Sequence, residues 1–160
     1  MSLPKKISLV LLIVLVAMQF IQPARNTNRQ VMPADITKHF SVPASVESIL
    51  KTSCYDCHSN NTGYPWYAKI QPMGWLLANH IKDGKAELNF NDFGSYSKRR
   101  KLSKLKAISN SIKDGTMPLS SYTFLHQDAK LSKDNRALII EWATSTREGL
   151  EIKNSLRCGK

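Results

Sequence analysis

The chain is poor in cysteine, glycine, proline and acid. Its 160 residues hold 3 Cys, 7 Gly, 7 Pro and 12 Asp plus Glu. The cysteines form one C-x-x-C and no second, and no H-x-x-x-H pair accompanies it, so a zinc site would lack further ligands. Little Gly and Pro beside ordinary apolar content excludes a low-complexity or disordered chain and points to a globular body. No stretch alternates apolar and polar residues with the period of two of a half-buried strand, and no internal repeat is visible. An all-α fold with long loops is what remains. Without strands there is no βαβ context for a thioredoxin-like use of the C-x-x-C.

Long hydrophobic runs are equally scarce. One exists: Lys5 and Lys6 precede Ile7–Ile21, fifteen residues with only Ser8 and Gln19 polar. A full membrane span needs roughly 20 residues, whereas the apolar region of a signal peptide needs about 7–15. A small-x-small cleavage site is lacking at the exit, Met18-Gln19-Phe20-Ile21-Gln22-Pro23. No Cys lies near that exit, which argues against a lipoprotein. Residues 1–25 are therefore expected to be a signal anchor or a signal peptide, with Lys5 and Lys6 inside. Everything after about Arg25 is expected on the periplasmic side of a bacterial inner membrane, anchored or released. Residues 26–40 read as a linker, 41–148 as one helical domain and 149–160 as a tail.

The scarce cysteines are placed tellingly. Cys54-Tyr55-Asp56-Cys57-His58 is C-x-x-C-H, the attachment signature of c-type haem. Two thiols three residues apart on one helical turn point the same way. They can add across the porphyrin vinyl groups while the adjacent imidazole takes the iron. Export and attachment support each other, since covalent haem attachment in bacteria takes place outside the cytoplasmic membrane. An oxidising compartment would also permit a plain Cys54–Cys57 disulfide. Cys158 is the odd thiol of the chain, open to an intermolecular disulfide or to no role.

Helical periodicity organises the rest. Pro43 and Glu47 suit the start of a first helix, whose Val46, Ile49 and Leu50 lead to Cys54 near its end. The rings of Tyr64-Pro65-Trp66-Tyr67 could cover a porphyrin edge or simply fill the core. A second helix is expected from Met73 or Gly74 to Asp83, stopping at Gly84, with Met73, Leu76, Leu77, His80 and Ile81 as its apolar stripe. A loop follows, with Leu88, Phe90 and Phe93 tucked beneath it. A third helix runs from about Ser97 to Lys113 on Leu102, Leu105, Ile108 and Ile112, with Gly115 at its end. Its first half is crowded by Lys98, Arg99, Arg100, Lys101, Lys104 and Lys106, against its own dipole. After a loop through Tyr122, Phe124 and His126, Ser132 caps a last helix carrying Leu138, Ile139, Trp142 and Ala143 inward and ending near Arg147–Gly149.

If His58 holds one face of the iron, the other face decides the chemistry. Met117 is the leading sixth ligand: it stands 59 residues after His58, between Gly115 and Pro118, and a thioether favours reduced iron. His80 is the alternative, since a His on an apolar stripe is unusual. Met73 reads as packing, and His126 and His39 as surface.

A helix ending in Cys-x-x-Cys-His, a later Met-Pro loop and a closing helix with an inward Trp resemble class I cytochrome c. The runs Cys54–Asn60, Tyr64–Tyr67, Leu88-Asn89-Phe90 and Gly115–Leu119 are closer still to the bacterial haem-binding domain family of small exported Bacteroidetes-type proteins, over about residues 41–147. That resemblance implies covalent haem c on Cys54 and Cys57 with His58 as proximal ligand. A monohaem electron carrier is expected, with a haem sensor or peroxidase-like enzyme as the alternative if the sixth position is available. No separate acid–base pair for peroxide cleavage is evident beyond His80. The formal net charge is +11, and residues 26–160 carry 20 basic against 12 acidic groups. Such a surface can steer an acidic redox partner or only maintain solubility; a nucleic-acid partner is not expected outside the membrane.

Overall fold

Helices form because apolar residues recur at three and four, and the computed structural model, which describes residues 2–28, 30 and 32–158 with side chains as far as Ile152, follows that pattern. The elements are α1 (Leu3–Met18), α2 (Ile36–His39), α3 (Ala44–Ser53), α4 (Tyr55–His58), α5 (Met73–Glu87), α6 (Lys98–Lys113), α7 (Ser120–Leu125) and α8 (Lys133–Cys158). Short 3-10 turns lie at Trp66–Lys69, Phe90–Ser95 and Gln127–Ala129. Among the described residues the only β pairing is one isolated bridge, Thr27 to Asn61. The fold is all-α.

The main core joins α3, α6 and α8. Leu105, Ile108 and Ile112 of α6 are buried with Ile139, Trp142 and Ala143 of α8 and with Val46 and Leu50 of α3. The early part of α6 lies beside the later part of α8, since Lys98 and Lys101 line one groove with Ser145 and Gly149. Late α6 meets early α8 where Ile112 and Ile139 share a cavity wall, so the two helices are antiparallel. Ser97 caps α6 by accepting from Arg100 N (3.3 Å), and Ser132 caps α8 by accepting from Asn135 N (3.1 Å). Phe90 and Phe93 are fully buried beneath the Phe90–Ser95 turn.

Several boundaries differ from the expected ones. The last helix does not stop near Gly149: it runs to Cys158 because Leu150 continues the apolar seam onto the core. The side chain of Cys158 lies outside the described residues. Leu138 is exposed rather than inward. The loop expected through Tyr122 and Phe124 contains α7. On α5, Leu77 and Ile81 are buried, but Met73 and Leu76 face solvent.

Gly84 does not end α5, which continues to Glu87. Its role is close approach. A Cβ at Gly84 would lie 2.8 Å from the Cys57 carbonyl oxygen and 3.1 Å from Cys57 Cβ, so the missing side chain lets α5 lie directly on α4. Backbone cannot yield cheaply to a new side chain. Gly84→Val is expected to destabilise the fold by about 2–3 kcal/mol, read as a lowered denaturation midpoint at unchanged slope.

The basic run of α6 acquires partners that its own helix does not supply. Arg100 donates to the Ala86 carbonyl (3.4 Å) at the C-terminal end of α5 and covers the Tyr96 ring (4.0 Å). Lys104 pairs with Glu87 at 3.0 Å and Lys101 donates to Gly94 O at 2.6 Å. Of the charges that oppose the dipole of α6, Arg100 thus meets a carbonyl and Lys104 a carboxylate at the C-terminal end of α5.

The N-terminal region divides in two. α1 buries no residue. Its 16 residues extend about 24 Å at 1.5 Å per residue, against an apolar bilayer thickness of about 30 Å. No helix among the described residues is long and apolar enough to cross a membrane. The stretch read as a linker lies against the domain. Ile36 is fully buried, and Asn26 reaches Ser59 O, Thr62 Oγ1 and Lys85 Nζ.

Candidate functional site

The C-x-x-C-H sequence occupies a restarted helical turn. α3 ends at Cys54, whose backbone (φ −130°, ψ −38°) departs from helix. The Cys54 carbonyl then accepts from both Cys57 N (3.2 Å) and His58 N (3.0 Å). Leu50 and Val46 anchor α3 in the core, so the turn is delivered at a fixed place, as the spacing predicts.

Asp56, inside the motif, ties this turn to its surroundings. Its Oδ1 accepts from Gly63 N (2.8 Å), its carbonyl from Thr62 Oγ1 (2.6 Å), and its Oδ2 from the Tyr122 hydroxyl (2.5 Å). The last bond pins α7, and with it the preceding Met117–Leu119 segment, to the cysteine turn. Burial, and after it the bond to Asp56, pushes the Tyr122 hydroxyl pKa well above its ordinary value. Tyr55 stacks on Phe90 at 5.0 Å.

His58 is oriented for metal binding. Its Nδ1 lies 2.9 Å from the Leu88 carbonyl oxygen. A carbonyl only accepts, so Nδ1 carries the proton and Nε2 keeps its lone pair free. Metal-ligating histidines are held in this way. The Leu88 carbonyl is itself fixed by an amide network. Asn89 Nδ2 donates to Asn60 Oδ1 (2.8 Å) and Asp92 Oδ2 (2.6 Å). Asn91 Oδ1 accepts from Asn60 N (2.7 Å), and its Nδ2 donates to Asp35 Oδ2 (2.6 Å).

Met117 is brought to the same place by the end of α6. Gly115 takes φ +69°, a region that L side chains rarely enter. Thr116 N donates to Ser111 O (3.0 Å) and Gly115 N to Ile112 O (3.3 Å), the two bonds of a Schellman cap. The chain reverses there and places Met117, half-buried, against the core.

Two adjoining cavities, about 220 and 190 Å³, share Cys54, His58, Glu87, Met117 and Pro118 as wall. The first adds Leu50, Phe90, Ile108 and Ile139, with Lys104 and Ser111 as polar members; the second adds Cys57, His80, Asp83 and Tyr122. Four of the expected residues, Cys54, Cys57, His58 and Met117, therefore converge, and His80 joins them. Of the aromatic run, Tyr64 and Tyr67 fill core, packing with Cys57 on the Ala68, Leu77 and Ile81 cluster, and Trp66 is exposed. His126, expected at the surface, is half-buried with Nε2 2.8 Å from the Tyr67 hydroxyl. His39 is exposed, as expected, 3.1 Å from Pro33 O. A larger hollow of about 860 Å³ lies between α3, α8 and the start of α6, away from the cysteines.

Electrostatics separates the readings of the C-x-x-C. Burial, followed by the neighbouring Cys57, pushes the Cys54 thiol up to about 12; burial, followed by Asp56, pushes Cys57 up to about 11. A redox-active dithiol needs the opposite, a lowered thiol pKa. Among the described residues no group of three or more His, Cys, Asp and Glu side chains is placed to hold a bare metal ion. Two neutral thiols, a free imidazole nitrogen and a thioether around apolar walls suit a flat apolar group carrying its own iron.

A family model described as a haem-binding domain matches residues 13–145. The chain belongs to the haem-binding domain family. No curated protein and no solved structure matches it. The residues of this haem-binding domain fit the group, and Cys54, Cys57, His58 and Met117 are those that would hold it. The match opens inside α1, so the family unit includes the strapped stretch before residue 41. Sequence reasoning missed the parts that orient the candidate residues: the Leu88 carbonyl, the Asn60–Asn89–Asn91 network and the Asp56–Tyr122 bond. Only the density of Asn in 89–91 hinted at them.

Proposed function

We propose that this haem-binding domain carries one covalently attached haem c and transfers single electrons. The observation that carries the reading is the convergence of Cys54, Cys57, His58 Nε2 and Met117 on one pair of adjoining cavities. Cys54 and Cys57 would form the two thioethers. His58, held by Leu88, would offer the iron its free nitrogen and Met117 its thioether, which favours reduced iron. When bound, the group supplies an iron that changes oxidation state by one electron. The outer basic residues of α6 would receive an acidic redox protein. Attachment of this kind places the domain on the periplasmic side of a bacterial inner membrane, with residues 1–25 as signal anchor or signal peptide.

One observation favours a second reading: His80 lines the Cys57 side of the same space. It could replace Met117 as ligand or serve a sensor or peroxidase-like site with an available sixth position. The visible spectrum of protein matured with the haem-attachment machinery decides. Low-spin c-type bands that survive denaturation and acid extraction, with the far-red band of Met-ligated ferric haem, are expected. A covalent but high-spin spectrum moves the assignment to the sensor or enzyme. A colourless product overturns both.

A further inference from the structure

Gln71 is only 2 % exposed although it lies where α1 leaves the domain. Its N–H donates to Gln19 Oε1 (2.8 Å) and its carbonyl accepts from Gln19 Nε2 (3.2 Å). Its own Nε2 donates to Gln22 Oε1 (3.0 Å). Gln22 Nε2 also donates to Lys69 O (3.0 Å), and Trp75 Nε1 to Ile21 O (2.8 Å). A side-chain oxygen of Gln71 meanwhile caps the first turn of α5 through Trp75 N (2.9 Å). The exit of α1 is thus fastened to the start of α5, with no free tether between them.

Large apolar side chains stand exposed around this joint. Phe20 is 83 % and Trp66 78 % exposed, and Ile21, Ile70, Met73 and Leu76 are also open to solvent. Met73 and Leu76, three apart on α5, share one side of its first turns. A monomer rarely leaves such side chains contiguous without a use for them. The patch continues into α1, whose large apolar residues from Ile7 to Val16 are exposed on every side. A protein groove receives one stripe of a helix; a helix apolar all round asks for lipid. Trp is favoured at the membrane–water boundary, and Lys69, within the patch, can extend its ammonium to the headgroups.

We infer that Trp66, Ile70, Met73 and Leu76 form a lipid-seated face: the domain rests on the bilayer that receives α1, at a fixed orientation. The inference rests on α1 remaining attached and not on the haem reading. It is tested on the full chain reconstituted in phosphatidylethanolamine–phosphatidylglycerol vesicles. An environment-sensitive thiol fluorophore is placed by Trp66→Cys or Met73→Cys in a Cys158→Ser background, with Glu148→Cys on α8 as the aqueous reference and the unsubstituted background as blank. Helical circular dichroism verifies each fold. Blue-shifted emission at 66 and 73, quenched several-fold more by bromine-labelled lipid than at 148, is the expected result. Emission at 66 and 73 as red as at 148 overturns the inference. Emission that is blue-shifted but not quenched by the labelled lipid also overturns it, because a protein surface then covers the face. The blank accounts for label on Cys54 and Cys57 when they carry no haem, so a colourless protein would defeat the proposed function and leave this result standing.

Discussion

His58→Ala is expected to yield a chain almost free of haem. The imidazole is the only candidate proximal ligand beside the two thiols, and with Nδ1 bonded to the Leu88 carbonyl its Nε2 is the nitrogen left to face the iron. Removing a group that merely orients a metal ligand lowers metal affinity ~10–100-fold. Removing the ligand itself should cost at least the upper part of that range. The substitution also strips the Leu88 carbonyl of its partner, so the apo chain loses a hydrogen bond as well. Cys57→Ser is expected to behave as a partial version, since one thioether remains possible through Cys54. Both are read as haem stain retained on denaturing gels and as the mass of the intact chain, and matched loading controls separate poor attachment from poor expression. Normal haem loading in both variants would remove the attachment model, whatever the colour of the parent protein.

The helices and the cysteine turn were legible because they depend on local rules. A period of three to four, Ser at 97 and 132, and Gly at 115 specify elements whose physics lies within a few residues. C-x-x-C-H is likewise local, and so its placement followed. What could not be read depends on partners distant in the chain. Gly84 resembles a helix stop until the Cys57 backbone is found against it. The positive charges of early α6 look unfavourable until the end of α5 is set beside them, its Ala86 carbonyl against Arg100 and its Glu87 carboxylate against Lys104. Residues 26–40 look like a linker because their polar side chains have no neighbours in the sequence, yet Asn26 bonds 33 and 36 positions away. The aromatic run Tyr64–Tyr67 could be read either as cofactor cover or as core, and only the fold shows Tyr64 and Tyr67 on a small core that Cys57 also joins.

The same distinction bears on orientation against type. The sequence offers a His and a Met as candidate ligands but not what holds them. The structure assigns that task to main-chain carbonyls, Leu88 for His58 and Ser111 for the turn before Met117. Carbonyl partners tolerate many side chains at their own positions, so they leave little trace in a sequence. The buried amides of Asn89 and Asn91 are the exception, since each satisfies bonds that an apolar residue there could not.

Met117→Ala should keep the haem attached and change what the iron does. In the proposed assignment attachment would depend on Cys54, Cys57 and His58, on a turn that Met117 does not build. The loss of the thioether would remove the ligand that favours reduced iron. The potential is expected to fall by on the order of 0.1–0.3 V, a fraction of the ~0.8 V that axial ligation spans, measured by spectroelectrochemical titration. The ferrous protein should then bind carbon monoxide rapidly where the parent binds it slowly, and the far-red ferric band should vanish. Alanine is smaller and leaves the Schellman cap at Ser111–Thr116 untouched, so the fold around the cavity should persist. His80 provides the counter-test. If the potential and the carbon monoxide rate are unchanged in Met117→Ala but shift in His80→Ala, the sixth ligand comes from α5 and the Met-Pro turn is only wall. If both variants shift alike, the two side chains act on one face of the same iron, Met117 by bonding it and His80 by holding what surrounds it; the vanished far-red band, seen in Met117→Ala alone, then identifies the bonded one.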